Sequence, residues 1–311
     1  MTPTTPTRDF SPSRGARVQV QSVLYNNEPH AIERAFDSLA RSADLAISDE
    51  VVGSVVWRIG DASPLRTFSD DQLAALQARD PDSVRIEYRW FGENSGSARG
   101  HNLLAEGSDA DYLLIQNPDV IHSPRTLHEL LDAFRHSPVG MVEAKQLPVE
   151  HPKDYDRITG ETGWATTACA LIPRELFEEL DGFDDESFFL YCDDVDFSWK
   201  VRLSGYRVIF QPSAVVFHDK KLSDDGAWQP SSAEIYYSAE AALFLAAKWS
   251  RDDVVDHILS VFQGSGDDTL EKAAATFTSA RDEGRLAAPL DPEHRIAVFE
   301  DGLYTKHRFP L

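Results

Sequence analysis

Several side chains in this sequence stand where their type and spacing could do chemistry. Asp119 follows the apolar run Tyr112 to Gln116 and the turn Asn117-Pro118, so a carboxylate is held at the end of a strand that proline cannot prolong. Such a carboxylate can hold Mg2+ or Mn2+ against a diphosphate, or it can be a turn residue that caps the next segment. Asp193 and Asp194 precede a helical stretch that runs to about Ser204 and is ended by Gly205. One of them can take the proton of an attacking hydroxyl, or both can serve the helix cap and its dipole. His218 closes the short run Ala214 to Phe217 and is either a metal ligand or a structural histidine. Asn94, Gly96, Arg99, Gly100 and Asn102 lie on a loop that enters a helix; its glycines let backbone amides approach a phosphate or a nucleotide ring.

The elements that must position these groups alternate. Val18 to Leu24, Val51 to Ile59, Val84 to Tyr88, Tyr112 to Gln116 and Met141 to Leu147 read as strands, and Tyr206 to Phe210 and Ala214 to Phe217 as two more. Helical periodicity runs through Ile32, Ala35, Phe36 and Leu39, and again through Leu127, Leu130, Leu131 and Phe134. This alternation predicts an α/β fold, a mainly parallel sheet with helices on both faces, whose ligands bind outside the carboxyl ends of the strands. His151 to Gly163 reads as a polar loop. The tail is mainly helical, near Ile235 to Trp249, Val254 to Phe262 and Leu270 to Arg281. The organisation expected is a disordered leader over residues 1–17, a catalytic domain over 18–222 and a helical region over 223–311 packed on or beside it. Those last helices could cap the core, pair two subunits into a homo-oligomer, or lie near a lipid-linked acceptor.

Composition excludes several classes. Against 30 Lys and Arg stand 52 Asp and Glu, a formal charge of -22 over 311 residues, which repels nucleic acid. An acidic small-molecule substrate then needs local help from a cation, helix N-termini or a few arginines. The two cysteines, Cys169 and Cys192, lie in apolar or aromatic surroundings and read as free thiols of a reducing compartment. No apolar run approaches the roughly 20 residues that span a bilayer. The expected setting is cytoplasmic, at most peripheral to the inner face of a membrane. There is no P-loop, dinucleotide fingerprint, nucleophile elbow or zinc helix.

In order along the chain, these signals resemble the inverting family 2 glycosyltransferases of GT-A fold. The resemblance runs from roughly Val18 to Trp249. The stretch Asn94-Ser95-Gly96-Ser97-Ala98-Arg99-Gly100-His101-Asn102, followed by Asp111 to Asp119, is similar to the nucleotide-sugar loop and metal motif of rhamnosyltransferase-like and galactofuranosyltransferase-like members. Gly182 to Lys200, with Asp193-Asp194-Val195-Asp196, is similar to the acceptor and base segment. Gly205-Tyr206-Arg207-Val208 and Pro212 to His218 continue the match.

The resemblance implies Asp119 and His218 as metal ligands, with Asn117 in the place of the motif's first aspartate, and Asp194, or its neighbour Asp193, as general base. Asn94, Gly96, Arg99 and Asn102 would meet the nucleotide sugar, Asp61 the nucleotide, and Tyr25 the base and ribose. The activity implied is transfer from a UDP- or dTDP-linked sugar to a glycan or lipid-linked glycan acceptor, with Mn2+ or Mg2+ as cofactor. Relatives also carry an aromatic residue and then Arg-Asn where this chain has Tyr236 to Ala241, with Glu240 and Ala241 in the place of that pair. Two other readings use the same rim: a sugar nucleotidyltransferase, and a non-catalytic carbohydrate-binding relative.

Overall fold

The structure is a computed structural model that describes residues 8–136, 138–218, 230–299 and 304. Its elements in chain order are β1 (Ala16–Leu24), α1 (Pro29–Ser48), β2 (Val52–Asp61), α2 (Asp70–Gln77), β3 (Arg85–Trp90), α3 (Gly96–Ala105), β4 (Tyr112–Gln116), β5 (Val120–His122) and α4 (Thr126–Ala133). There follow β6 (Val139–Leu147), β7 (Cys169–Pro173), α5 (Arg174–Glu179), α6 (Asp193–Leu203), β8 (Arg207–His218), α7 (Ser232–Lys248), α8 (Asp252–Gln263) and α9 (Asp268–Asp282).

The strands form one sheet in the order β3-β2-β1-β4-β7-β6-β8-β5. β1 to β4 run parallel, as do β6 and β8, while β7 is antiparallel to both β4 and β6, and β5 to β8. The carboxyl ends of β1, β2, β3, β4, β6 and β8 therefore share one rim, together with the starts of β5 and β7. The turns after Leu24, Asp61, Trp90 and Gln116, and His218 at the end of β8, all meet at that rim.

Both sheet faces are covered, which is why the central strands are apolar throughout; Tyr112 to Gln116 is wholly buried. One face packs Phe36 and Leu39 of α1 and Leu127, Leu130 and Leu131 of α4 on the sheet. The other packs Ala98 of α3, Leu176 and Phe177 of α5, and Phe197 and Val201 of α6. Two expected strands, Tyr206 to Phe210 and Ala214 to Phe217, are one continuous β8. Pro212 cannot donate to a ladder, and the register with β6 jumps from Ala144 opposite Gln211 to Lys145 opposite Val215, so a bulge absorbs the break.

The expected disorder over residues 1–17 fails for 8–17. Arg8 pairs with Glu175, the Phe10 carbonyl accepts from the Tyr112 hydroxyl, and Ala16 and Arg17 already belong to β1. Burial of Phe10 against Tyr206, with ring centroids 5.3 Å apart, supplies an anchor that a Thr, Pro and Ser count hides. Residues 1–7 lie outside the described residues.

α7 packs onto α6 and the turn before it. Ala241, Leu245 and Trp249 share a buried cluster with Trp164, Phe188, Val195 and Trp199, and α8 and α9 pack on α7 through Leu243, Ile258, Ala274 and Phe277. No helix among the described residues is long and apolar enough to cross a membrane.

Candidate active site

At the rim, Asn117, Asp119 and His218 meet. The Asn117 amide nitrogen is 3.0 Å from His218 Nε2, and Asp119 Oδ1 is 3.7 Å from the same nitrogen. The cause is strand pairing: β5 begins at Val120 directly opposite His218, so the residue before Val120 is delivered to the imidazole. The ring is also oriented from behind, because His218 Nδ1 lies 3.0 Å from Gln146 Oε1. Gln146 is fully buried at the end of β6, its amide nitrogen donates to Thr166 Oγ1 at 3.0 Å, and its backbone N–H donates to Glu150 at 2.7 Å. With its oxygen facing the ring, Gln146 selects the tautomer protonated on Nδ1 and leaves the Nε2 lone pair toward Asn117 and Asp119.

A carboxylate and an imidazole lone pair of this kind suit Mn2+ or Mg2+. No group of three His, Cys, Asp or Glu that could hold a metal occurs among the described residues.

The second group is built where the 94–102 loop meets the start of α6. Gly96 has φ +68, and a Cβ there would fall 2.3 Å from the Phe189 carbonyl oxygen; only glycine allows this approach. The Ser97 N–H then donates to the same carbonyl at 2.9 Å. Asn94 Oδ1 accepts from the Gly96 N–H at 3.2 Å, and exposed Arg99 pairs with Glu93 at 2.9 Å. Asn102 is spent differently. Its Nδ2 donates to the Phe183 carbonyl at 2.8 Å and its Oδ1 accepts from the Phe183 N–H at 3.0 Å, so it clamps α3 to the acidic segment.

Tyr191 and Cys192 both have positive φ, 66 and 59, a sparsely populated conformation for side-chain-bearing residues that recurs at functional turns. It swings the chain into α6 with Asp193, Asp194 and Asp196 in the first turn. Asp193 is buried, and burial first, then the adjacent Asp194 charge, pushes its carboxyl up to about 7; the Ser97 side chain opposes this by bonding the ionised form. Its Oδ2 has no hydrogen-bond partner among the described residues. Asp194 is half-buried, and its Oδ1 accepts from the Val195 N–H at 2.8 Å. Asp196, fully buried, accepts from Lys248 Nζ at 2.9 Å and Trp249 Nε1 at 2.9 Å. The same Lys248 bonds Asp184 at 2.6 Å.

Tyr25 and Asp61 sit on the β1 and β2 ends of the rim. Asp61 is fully buried, and its oxygens accept from the N–H groups of Ser63, at 3.0 Å, and Thr67, at 2.7 Å, and from the Tyr88 hydroxyl. Although burial raises its pKa most among the single influences, these donors together hold it below the usual carboxylate range. Its carboxylate shapes the 62–68 loop. That loop bonds Asn26 through Ser63 Oγ at 2.8 Å and Trp90 through the Ser63 carbonyl at 2.9 Å. Tyr25 is 49 % exposed beside it.

Gln146, Ser97 and Thr166 escape the sequence reading. Gln146 carried one usable signal, an amide inside a strand otherwise expected to be core; Ser97 and Thr166 carried none.

A mainly parallel sheet with a carboxylate–imidazole pair and an acid pair at its carboxyl rim, and with helices on both faces, defines a GT-A glycosyltransferase fold. The comparisons agree. A mannosyltransferase from Pyrobaculum calidifontis, solved with GDP-Man and Mn2+, superposes with a TM-score of 0.56 at 20% identity over 93% of this chain and 80% of that one. GalNAc-T7, solved with UDP, GalNAc and Mn2+, gives 0.62 at 13% identity over 86% of this chain and 55% of that one. Among curated proteins, an N-acetylglucosaminyl-diphospho-decaprenol L-rhamnosyltransferase of Mycobacterium tuberculosis is 26% identical over 269 residues, 74% of this chain and 84% of the relative. The rhamnosyltransferase WbbL of Escherichia coli is 23% identical over 159 residues, 41% of this chain and 60% of the relative. No protein-family model matches the chain. Sequence relatives and fold together support a family 2 glycosyltransferase.

Proposed function

We propose that the chain moves a sugar from a UDP- or dTDP-linked donor to the hydroxyl of a glycan or lipid-linked glycan acceptor, with inversion at the anomeric carbon, in the synthesis of a cell-surface polysaccharide or glycolipid. The observation that carries this reading is one sheet rim bearing both an oriented carboxylate–imidazole pair and a buried acid pair. Asp119 and His218 would hold Mn2+ or Mg2+, which when bound neutralises negative charge on the departing diphosphate. Asn117 donates to the His218 Nε2 lone pair that the metal would take in its place, and Asn94, Gly96 and Arg99 form the donor side of the loop. Tyr25 and the loop closed by Asp61 border the base and ribose.

Asp194, partly open to solvent, accepts the proton of the acceptor hydroxyl. That oxygen bonds to the anomeric carbon as the bond from this carbon to the phosphate oxygen breaks, and the nucleoside diphosphate leaves with the electron pair. Because attack and departure lie on opposite faces of the sugar, the configuration inverts. The tuberculosis relative, whose name specifies a diphospho-decaprenol acceptor, supports a lipid-linked acceptor.

The test is to incubate the protein with UDP- and dTDP-sugars and Mn2+ and to follow the released nucleotide. Nucleoside diphosphate, abolished by Asp194→Asn with the fold intact, is the expected product. Pyrophosphate release would instead establish nucleotidyl transfer, and no release from any donor would leave a binding protein.

A further inference from the structure

Beside the acid pair, aromatic rings from distant parts of the chain are gathered. The Phe189 and Tyr237 rings lie 4.8 Å apart, tilted by 34°, and Tyr236 meets Tyr237 edge-on at 5.1 Å. Phe189 is tied to the donor loop through its carbonyl, which accepts from the Ser97 N–H at 2.9 Å, and the Ser97 side chain in turn bonds Asp193. The ring pair therefore stands beside the donor loop and the acids. Neither ring is fully buried, as a purely structural contact between α7 and the 188–191 turn would favour.

Among the described residues, carboxylates gather around these rings. Glu240 accepts from the Tyr236 hydroxyl at 2.8 Å, Glu234 accepts from the Tyr191 hydroxyl at 3.3 Å, and Asp193 and Asp194 lie at the start of α6. Lys248, 5.6 Å from the centre of the Phe188 ring, is held by Asp184 and Asp196, and Lys272 Nζ lies 4.7 Å from the centre of the Tyr236 ring. It faces the outer ring of the trio rather than the Phe189–Tyr237 pair. A ring face offers an apolar surface matched to the C–H face of a pyranose, and the tyrosine rims offer polar tips for its hydroxyls. Neighbouring carboxylates repel an anionic sugar.

Resting on the glycosyl-transfer reading, we infer that Phe189 and Tyr237 form the platform on which the acceptor's terminal sugar stacks, and that this sugar is uncharged. The platform fixes the ring plane of the acceptor, so that one hydroxyl is carried to Asp194. Specificity for a neutral terminus comes from Glu234 and Glu240 on the α7 side and from Asp194 on the other.

Octyl glucoside, octyl N-acetylglucosaminide and octyl glucuronide, each below its micellar concentration, are titrated into protein holding UDP and Mn2+, and binding is followed by saturation-transfer NMR. The neutral glycosides bind, with the glucuronide about tenfold or more weaker. Tyr237→Leu and Phe189→Leu each weaken the neutral glycosides about tenfold, whereas Tyr237→Phe, which keeps the ring, stays near wild type. UDP affinity measured without glycoside shows that each variant is folded. Equal binding of the glucuronide, unchanged binding in both leucine variants, or no binding of any glycoside at millimolar concentration overturns the inference. Failure of the underlying reading is separate: it shows as absence of nucleoside diphosphate release by the wild-type protein, whatever the glycosides do.

Discussion

Replacing Asp193 with Asn changes one atom and removes a charge that the fold tolerates at a cost. In the unfolded chain this carboxyl loses its proton near 3.8, whereas in the folded protein burial and the Asp194 charge hold the proton until about 7. Between those values the native state binds more protons than the unfolded one, so stability falls as pH rises through that window. The width of that window corresponds to roughly 4 kcal/mol once the group is fully ionised, an upper bound because water can reach an ionised carboxylate. Asn cannot ionise, so the variant escapes the penalty. Urea denaturation of both proteins at several values from about pH 5 to pH 8 measures it. The stability difference, variant minus wild type, should grow toward alkaline pH, by as much as roughly 4 kcal/mol and by no less than about 1. Below about pH 4 only the fixed effect of the amide should remain. A difference that stays constant across the range would refute the argument, because Asp193 would then titrate alike in both states.

Other expectations follow from the same geometry. Asp194→Asn should lower transfer by about 10²–10⁴-fold while leaving the circular dichroism spectrum unchanged and Tm no lower; a rate within a factor of a few of wild type would move the base elsewhere. Treatment with EDTA should abolish nucleoside diphosphate release and added Mn2+ should restore it, and turnover insensitive to chelation would remove the metal role of Asp119 and His218. Gln146→Leu should weaken Mn2+ binding, read by electron paramagnetic resonance in the presence of UDP, by about 10–100-fold, since the imidazole loses the acceptor that fixes its tautomer. Lys248→Met should destabilise the protein by about 3–5 kcal/mol in urea, because it strips the cation from two carboxylates, Asp184 and the fully buried Asp196.

How far the sequence could be read depended on whether the signal was local. Strands such as Tyr112 to Gln116 announce themselves by apolar runs bounded by turn residues, and the three C-terminal helices by periodicity, because burial on both faces or on one stripe dictates those patterns. The short pieces went unread. β5 has 3 residues, too few for a period to declare itself, β7 runs straight into α5 with no residue between them, and α2 is marked only by the Ser69–Gln72 capping box. At the rim, the residue types of Asn117, Asp119, Asp193, Asp194 and His218 were legible, but the partners that set their behaviour were not. Gln146 lies 72 residues from His218 along the chain, and nothing near either one records that β6 and β8 run side by side. Asn102 shows the reverse: its place in a glycine-rich loop points to a ligand, while its amide is held by the Phe183 backbone on a segment 81 residues away.

α6 makes the same point energetically. Asp193 and Asp196 are one helical turn apart and both buried, yet they experience opposite surroundings. Asp196 meets Lys248 and the Trp249 indole, two donors brought by the end of α7. Asp193 meets a serine hydroxyl, backbone N–H groups of its own first turn and its acidic neighbour, but no cation, and keeps an oxygen without a partner among the described residues. A helix start carrying three acids could not be buried if all three were left in the second condition, since each unpaired buried charge costs several kcal/mol. Lys248 therefore decides which acid is structural, and the strained turn at Tyr191 and Cys192 decides which face the remaining pair presents. Loss of α7 would then cost more than packing: with Lys248 gone, Asp196 would join the unpaired acids and the start of α6 would no longer hold its place against the donor loop.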